Sequence, residues 1–145
     1  MSPLAPSRIP HYYGDYVRIL FFIAAALGAF TVPVWGSVLP IGTFPQVVGI
    51  VILVLLAGLT NPHGTMVLWA DTIVSAIGVL FIENTAISLY SIDEIAIFFV
   101  REVLVLLLLV AMYYSIKTVR AMTQHEIGHT MRVGEFDEPA EDSDE

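Results

Sequence analysis

Four long apolar runs dominate the chain, and each is broken by a cluster of proline, glycine, asparagine or polar residues. A membrane-spanning helix needs about 20 predominantly apolar residues at 1.5 Å rise each, and the runs near 17–35, 44–60, 65–90 and 92–116 are read as four such spans. Pro33 and Gly36 close the first. The second follows Pro40-Ile41-Gly42-Thr43 and has Pro45 in its first turn, where a missing N–H costs little. Asn61-Pro62-His63-Gly64 is a turn signal that ends it. Ser91-Ile92-Asp93-Glu94 reads as a capping box that opens the fourth helix, whose helical character runs on to Arg120. Hydrocarbon offers no partner for backbone N–H and C=O groups, so lone spanning segments must be helices. The expected fold is an all-α integral membrane protein, four transmembrane helices in an up-down-up-down antiparallel bundle. Residues 1–16 form a short arm, 17–120 the membrane domain, 121–134 a juxtamembrane segment and 135–145 a disordered acidic tail.

Composition agrees with the pattern. The 145 residues are 57% apolar and only 14% charged, with a mean hydropathy of +0.78, whereas a soluble domain is nearer a quarter charged. The formal charge of −8 is nonetheless large. Seven acids and no base lie in 135–145, which leaves six bases against seven acids, or −1, for residues 1–134. Cysteine is absent, which excludes disulfides, thiolate metal ligands and a thiol nucleophile. The Ala24-Ala25-Ala26 run is not expected to be a signal-peptide cleavage site, because Arg18 leaves too short an apolar stretch before it and the apolar run continues beyond. The acidic tail repels phosphate, so nucleic acid is not an expected partner.

The bases fix an orientation. Arg8 and Arg18 flank the first span on its N-terminal side and Lys117, Arg120 and Arg132 follow the fourth, while the segments near 36–43 and 91–93 have none. The basic side of a membrane protein is cytoplasmic, so both termini are expected in the cytoplasm and the protein in the plasma (inner) membrane. Tyr12, Tyr13, Tyr16, Trp69, Tyr113 and Tyr114 then fall at the inner interface, and Trp35 and Tyr90 at the outer one.

Asp71, Glu83, Arg101 and Glu102 lie within the third and fourth spans, where ionisable side chains are expensive and therefore candidates for function. In an antiparallel hairpin turning near residue 92, Glu83 and Arg101 lie at equal depth, so an ion pair that sets the register is expected there. Glu102 is turned about 100° from Arg101, which leaves one glutamate without a counter-charge and opens the alternative of a proton or ion site. Asp71, Ser75, Gly78 and Ile82 share one face of the third helix, a pattern suited to close packing against neighbours.

Beyond the fourth span, His125-Glu126-Ile127-Gly128-His129 matches H-E-x-x-H. On a helix His125 and His129 share a face and could bind one Zn²⁺, with Glu126 as general base on the metal-bound water. These five residues resemble the motif of membrane-linked metalloprotease families. A third ligand and an enclosed cleft are also needed, and only sixteen residues follow His129. A solvated helix end near the membrane surface is the expected role, with no cofactor.

Three functions follow in order of expectation. The first is a small polytopic protein without its own catalysis, embedded in the bilayer and acting as an accessory or assembly subunit or as a homo-oligomer. The second is a small ion or solute transporter or channel using the acids of the third and fourth helices. The third is a zinc metalloprotease through the HEIGH motif. The orientation is directly testable, because a chain without cysteine gives no labelling background. In intact cells, a membrane-impermeant maleimide is expected to label Ser37→Cys and to leave Ser143→Cys unmodified until the membrane is opened.

Overall fold

The structure, a computed structural model, describes residues 13–36, 38–60 and 65–123. Four helices account for nearly all of them: α1 Gly14–Trp35, α2 Thr43–Leu59, α3 Thr65–Leu89 and α4 Ile95–Thr123. There is no strand among the described residues. Residues 1–12 of the N-terminal arm, the HEIGH segment and the acidic tail lie outside them, while Gly14, Asp15 and Tyr16 of the expected arm already belong to α1.

Helices α1, α3 and α4 are long and apolar enough to cross a membrane. Helix α2 has 17 residues, about 25 Å at 1.5 Å per residue, against a hydrocarbon core of about 30 Å. Gly36 and Gly42 adopt φ of 75° and 92° at the two ends of the α1–α2 connection, conformations that a side chain disfavours. The expected capping box does not form. Helix α4 starts at Ile95, three residues later than expected, and the Glu94 carbonyl accepts its first N–H groups, from Ile97 and Phe98. Asp93 is left in the turn, free to serve a side chain further along α4.

Helices α3 and α4 pack along their length, α1 packs on both α2 and α4, and α2 scarcely touches α3. Small residues set the close approaches. A Cβ on Gly78 would lie 2.7 Å from Leu108 Cδ1, and one on Gly28 would lie 3.3 Å from Ile50 Cγ1. The buried apolar core is a modest cluster around Val17, Phe21, Ala24, Leu104, Leu108 and Ala111. At one end of the bundle Tyr114 stacks on Tyr13 and Tyr16, with ring centroids 5.6 and 5.3 Å apart, and the Lys117 ammonium lies 4.4 Å from the Tyr13 ring centroid. These contacts join the start of α1 to the end of α4.

Burial runs opposite to that of a soluble protein. Phe44, Met66 and Leu80 are more than 70% exposed, while Thr31, Asp71, Ser75, Ser115 and Thr118 are fully enclosed. Water selects the reverse arrangement. Lipid removes the penalty on an apolar exterior and leaves small and polar groups as the adhesive between helices.

Gly78 has no room for a larger group, whereas a Cβ on Gly49 meets nothing within 4 Å. Gly78→Leu is therefore expected to lower stability by roughly 1–3 kcal/mol through overpacking, with Gly49→Leu near neutral in the same thermal unfolding series in detergent.

Candidate functional site

Polar groups inside the bundle gather in two places. The first lies at the end carrying the 36–42 and 90–94 connections. Arg101, 3% exposed, donates from Nε to the Val38 carbonyl at 2.7 Å and from a terminal nitrogen to the Asp93 carboxylate. The Val38 N–H in turn donates to Gln46 Oε1 at 2.8 Å. Gln46 Nε2 donates to the Gly28 carbonyl at 3.0 Å and to Thr31 Oγ1 at 2.9 Å. Thr31 passes its own proton back to the Gly28 carbonyl at 2.7 Å. A continuous chain of bonds thus runs from the α3–α4 turn through α4 and the α1–α2 connection into α2 and α1. Each link has a donor and an acceptor, as a buried network requires.

Arg101 therefore pairs with Asp93, and the expected Glu83–Arg101 ion pair is not formed. Counting from the turn places two residues at a common depth but leaves the rotation of each helix about its axis open. Leu108 lies over Gly78, and steps of seven residues return to nearly the same helix face. Seven residues beyond Gly78 is Thr85 and seven before Leu108 is Arg101, both buried. Glu83 stands two positions from Thr85, about 200° around the helix, and so faces away from Arg101. Glu83 lines a shallow groove of ≈ 390 Å³ with Ile87, Tyr90, Phe98 and Glu102. Those two glutamates share a groove and have no ion pair among the described residues.

The second polar place lies toward the other end. Asp71 on α3 is fully buried. Thr60, at the end of α2, donates to its Oδ2 at 3.0 Å, while Oδ1 has no hydrogen-bond partner. The Oγ atoms of Ser75 and Ser115 are also buried without a partner. Arg18 donates from Nε to the Ala57 carbonyl at 3.1 Å and lies 3.8 Å from Asp15, so neither of its recorded polar contacts is with Asp71.

An apolar cleft of ≈ 400 Å³ opens between α2 and α3. Its walls include Gly49, Leu53, Ile77 and Phe81, Ala24 and Leu108 form part of its floor, and Gln46 is the polar residue on its lining. Gln46 and this cleft were not singled out in the sequence. One signal was available: Gln46 is the single amide in a run of apolar residues, and an amide there needs several partners.

No grouping of three or more His, Asp or Glu side chains suited to a metal occurs among the described residues. His125, Glu126 and His129 lie outside them. If the Arg101–Asp93–Val38 arrangement holds this end together, Arg101→Gln should destabilise the protein by about 3 kcal/mol, the usual cost of orphaning one member of a buried pair. Asp93→Asn should cost less and Glu83→Gln almost nothing, an order readable from thermal unfolding and opposite to that of a Glu83–Arg101 pair.

No protein-family model, curated protein or solved structure matches the chain, so its function must be argued from its own residues.

Proposed function

We infer that this is an integral protein of the plasma (inner) membrane, with four spans running up, down, up and down and both termini in the cytoplasm. It has no catalysis of its own and acts as an accessory or assembly subunit, or by self-association. The observation that carries this reading is the incomplete packing of α2. Of its 17 residues only Gln46 and Ala57 are buried, and it leaves an open apolar cleft against α3. A helix too short and too loosely held to seal its own bundle gains from a neighbouring helix that fills the gap. Van der Waals packing against small residues is the main adhesive available in lipid, and Gly49 and Gly78 on the cleft offer such a surface.

A pathway along the acids of α3 and α4 has less support within one chain. Asp71 and Glu83 are twelve residues apart, about 18 Å along the axis, and Glu83 belongs to a groove on another face.

Gly49→Leu tests the assembly reading, because Gly49 lies on the cleft and a Cβ added there meets nothing within 4 Å. Gently solubilised wild-type protein is expected to run as a complex, either with itself or with a reproducible membrane partner, and Gly49→Leu to shift it to the monomer with unchanged helicity. A wild-type chain that is monomeric in lipid nanodiscs and co-purifies with nothing would sink the reading.

A further inference from the structure

Asp71 presents a charge problem that the described part of the chain does not solve. It is fully enclosed, and an uncompensated carboxylate in a low-dielectric interior is strongly disfavoured. The described basic side chains have other contacts or lie elsewhere. Arg101 serves Asp93 and Val38, Arg18 serves Ala57 and Asp15, Lys117 lies over Tyr13, and Arg120 is exposed in the last turn of α4. A cation bound beside it would compensate the charge.

The surrounding hydroxyls indicate what that is. Thr31, Thr72, Thr85, Ser88, Thr118 and Thr123 each donate to a carbonyl three or four residues earlier in their own helix. That is the usual resting place of a helical hydroxyl lacking water. Ser75 and Ser115 do not follow it: both are fully buried and neither Oγ has a partner. Their positions converge on Asp71. Ser75 is one turn along α3 on the same face. Ser115 is seven residues beyond Leu108, and Asp71 is seven before Gly78, so the two stand opposite each other just as Leu108 stands over Gly78. Three oxygens without partners, from one carboxylate and two hydroxyls, thus fall within about one helical turn of each other along the α3–α4 seam. Thr60 adds support from α2 by donating to the second carboxyl oxygen.

We propose that Asp71, Ser75 and Ser115 form a buried binding site for one hard monovalent cation of the sodium class. The donors are all oxygen, which favours hard ions over the softer transition metals. A single carboxylate neutralises one positive charge and would leave a divalent ion half-compensated in a buried place, where calcium sites recruit several carboxylates. Asp71 lies six residues into α3, about 9 Å from its start, so an ion has only a short way to travel from that end of the bundle.

The test uses the full chain in nanodiscs at constant ionic strength and at three buffered pH values from 6 to 8, with choline chloride replaced at each by sodium, lithium or potassium chloride. Sodium and lithium are expected to raise the unfolding midpoint by about 5 °C, potassium by less. Radioactive sodium is expected to bind at one ion per chain. Asp71→Asn should abolish both effects, and Ser75→Ala and Ser115→Ala should each weaken sodium binding by roughly tenfold. Ser88→Ala, whose hydroxyl bonds its own helix, should bind as the wild type does. If Asp71→Asn does not fold, the two serine variants carry the test. Equal stability in sodium and choline overturns the proposal, as does a stability that follows pH alone, which would mean a proton and no metal ion. Sodium binding undiminished in the serine variants overturns it too.

Discussion

The Arg101 side chain reaches out of α4 to the carbonyl of Val38, and the arrangement of one whole end of the bundle depends on that contact. A guanidinium in an enclosed place is tolerated only when its donors are met, and here the acceptors come from a turn and a loop with no helix to satisfy them. Val38 is used on both sides, its oxygen by Arg101 and its N–H by Gln46. The α1–α2 connection is thereby held by side chains from α4 and α2. The α3–α4 turn is drawn to the same point through Asp93. Two helix pairs that would otherwise meet mainly through apolar contacts are locked in register by directional bonds, which retain their strength where water is scarce.

Around that clamp the chemistry is distributed as lipid demands. Polar and small side chains share the interior with a modest apolar core, and leucine, isoleucine and phenylalanine cover much of the outside. Without a hydrophobic drive between helices, stability rests on close approach at Gly28 and Gly78 and on the polar contacts. Helix α2 has both only on its α1 side, through Ile50 over Gly28 and through Gln46. Only Gln46 and Ala57 of its residues are buried, and the cleft on its α3 side remains open. The end held by Arg101 is saturated with bonds, whereas the end that contains Asp71 leaves three buried oxygens without partners. This contrast within one bundle is why the second end, and not the first, carries the ligand proposal.

Much of the fold was legible in the chain. The four helices fall within a few residues of the expected runs, because a long apolar segment bounded by proline, glycine and asparagine has few conformations that satisfy its backbone in hydrocarbon. The Ser91–Glu94 capping box was a local inference overruled by a distant partner: Asp93 serves Arg101, and the helix begins after it. Asp71, Glu83, Arg101 and Glu102 stand out in the sequence as costly side chains, but Arg101 meets Asp93 and not Glu83. Counting residues from the turn gave depth, while the rotation of each helix about its own axis sent Glu83 and Arg101 to different faces. Gln46 passed unnoticed because its importance lies in meeting Gly28, Thr31 and Val38 from another helix.

By itself, then, the amino-acid order determined the solvent, the secondary structure and the short list of costly side chains. Hydropathy and helical period are properties of neighbouring residues, and they survive being read one segment at a time. The tertiary structure alone decided which of those side chains meet. A hydrogen bond or ion pair is short and directional, so a rotation of one helix by a single residue, about 100°, exchanges its partners while leaving every local pattern intact.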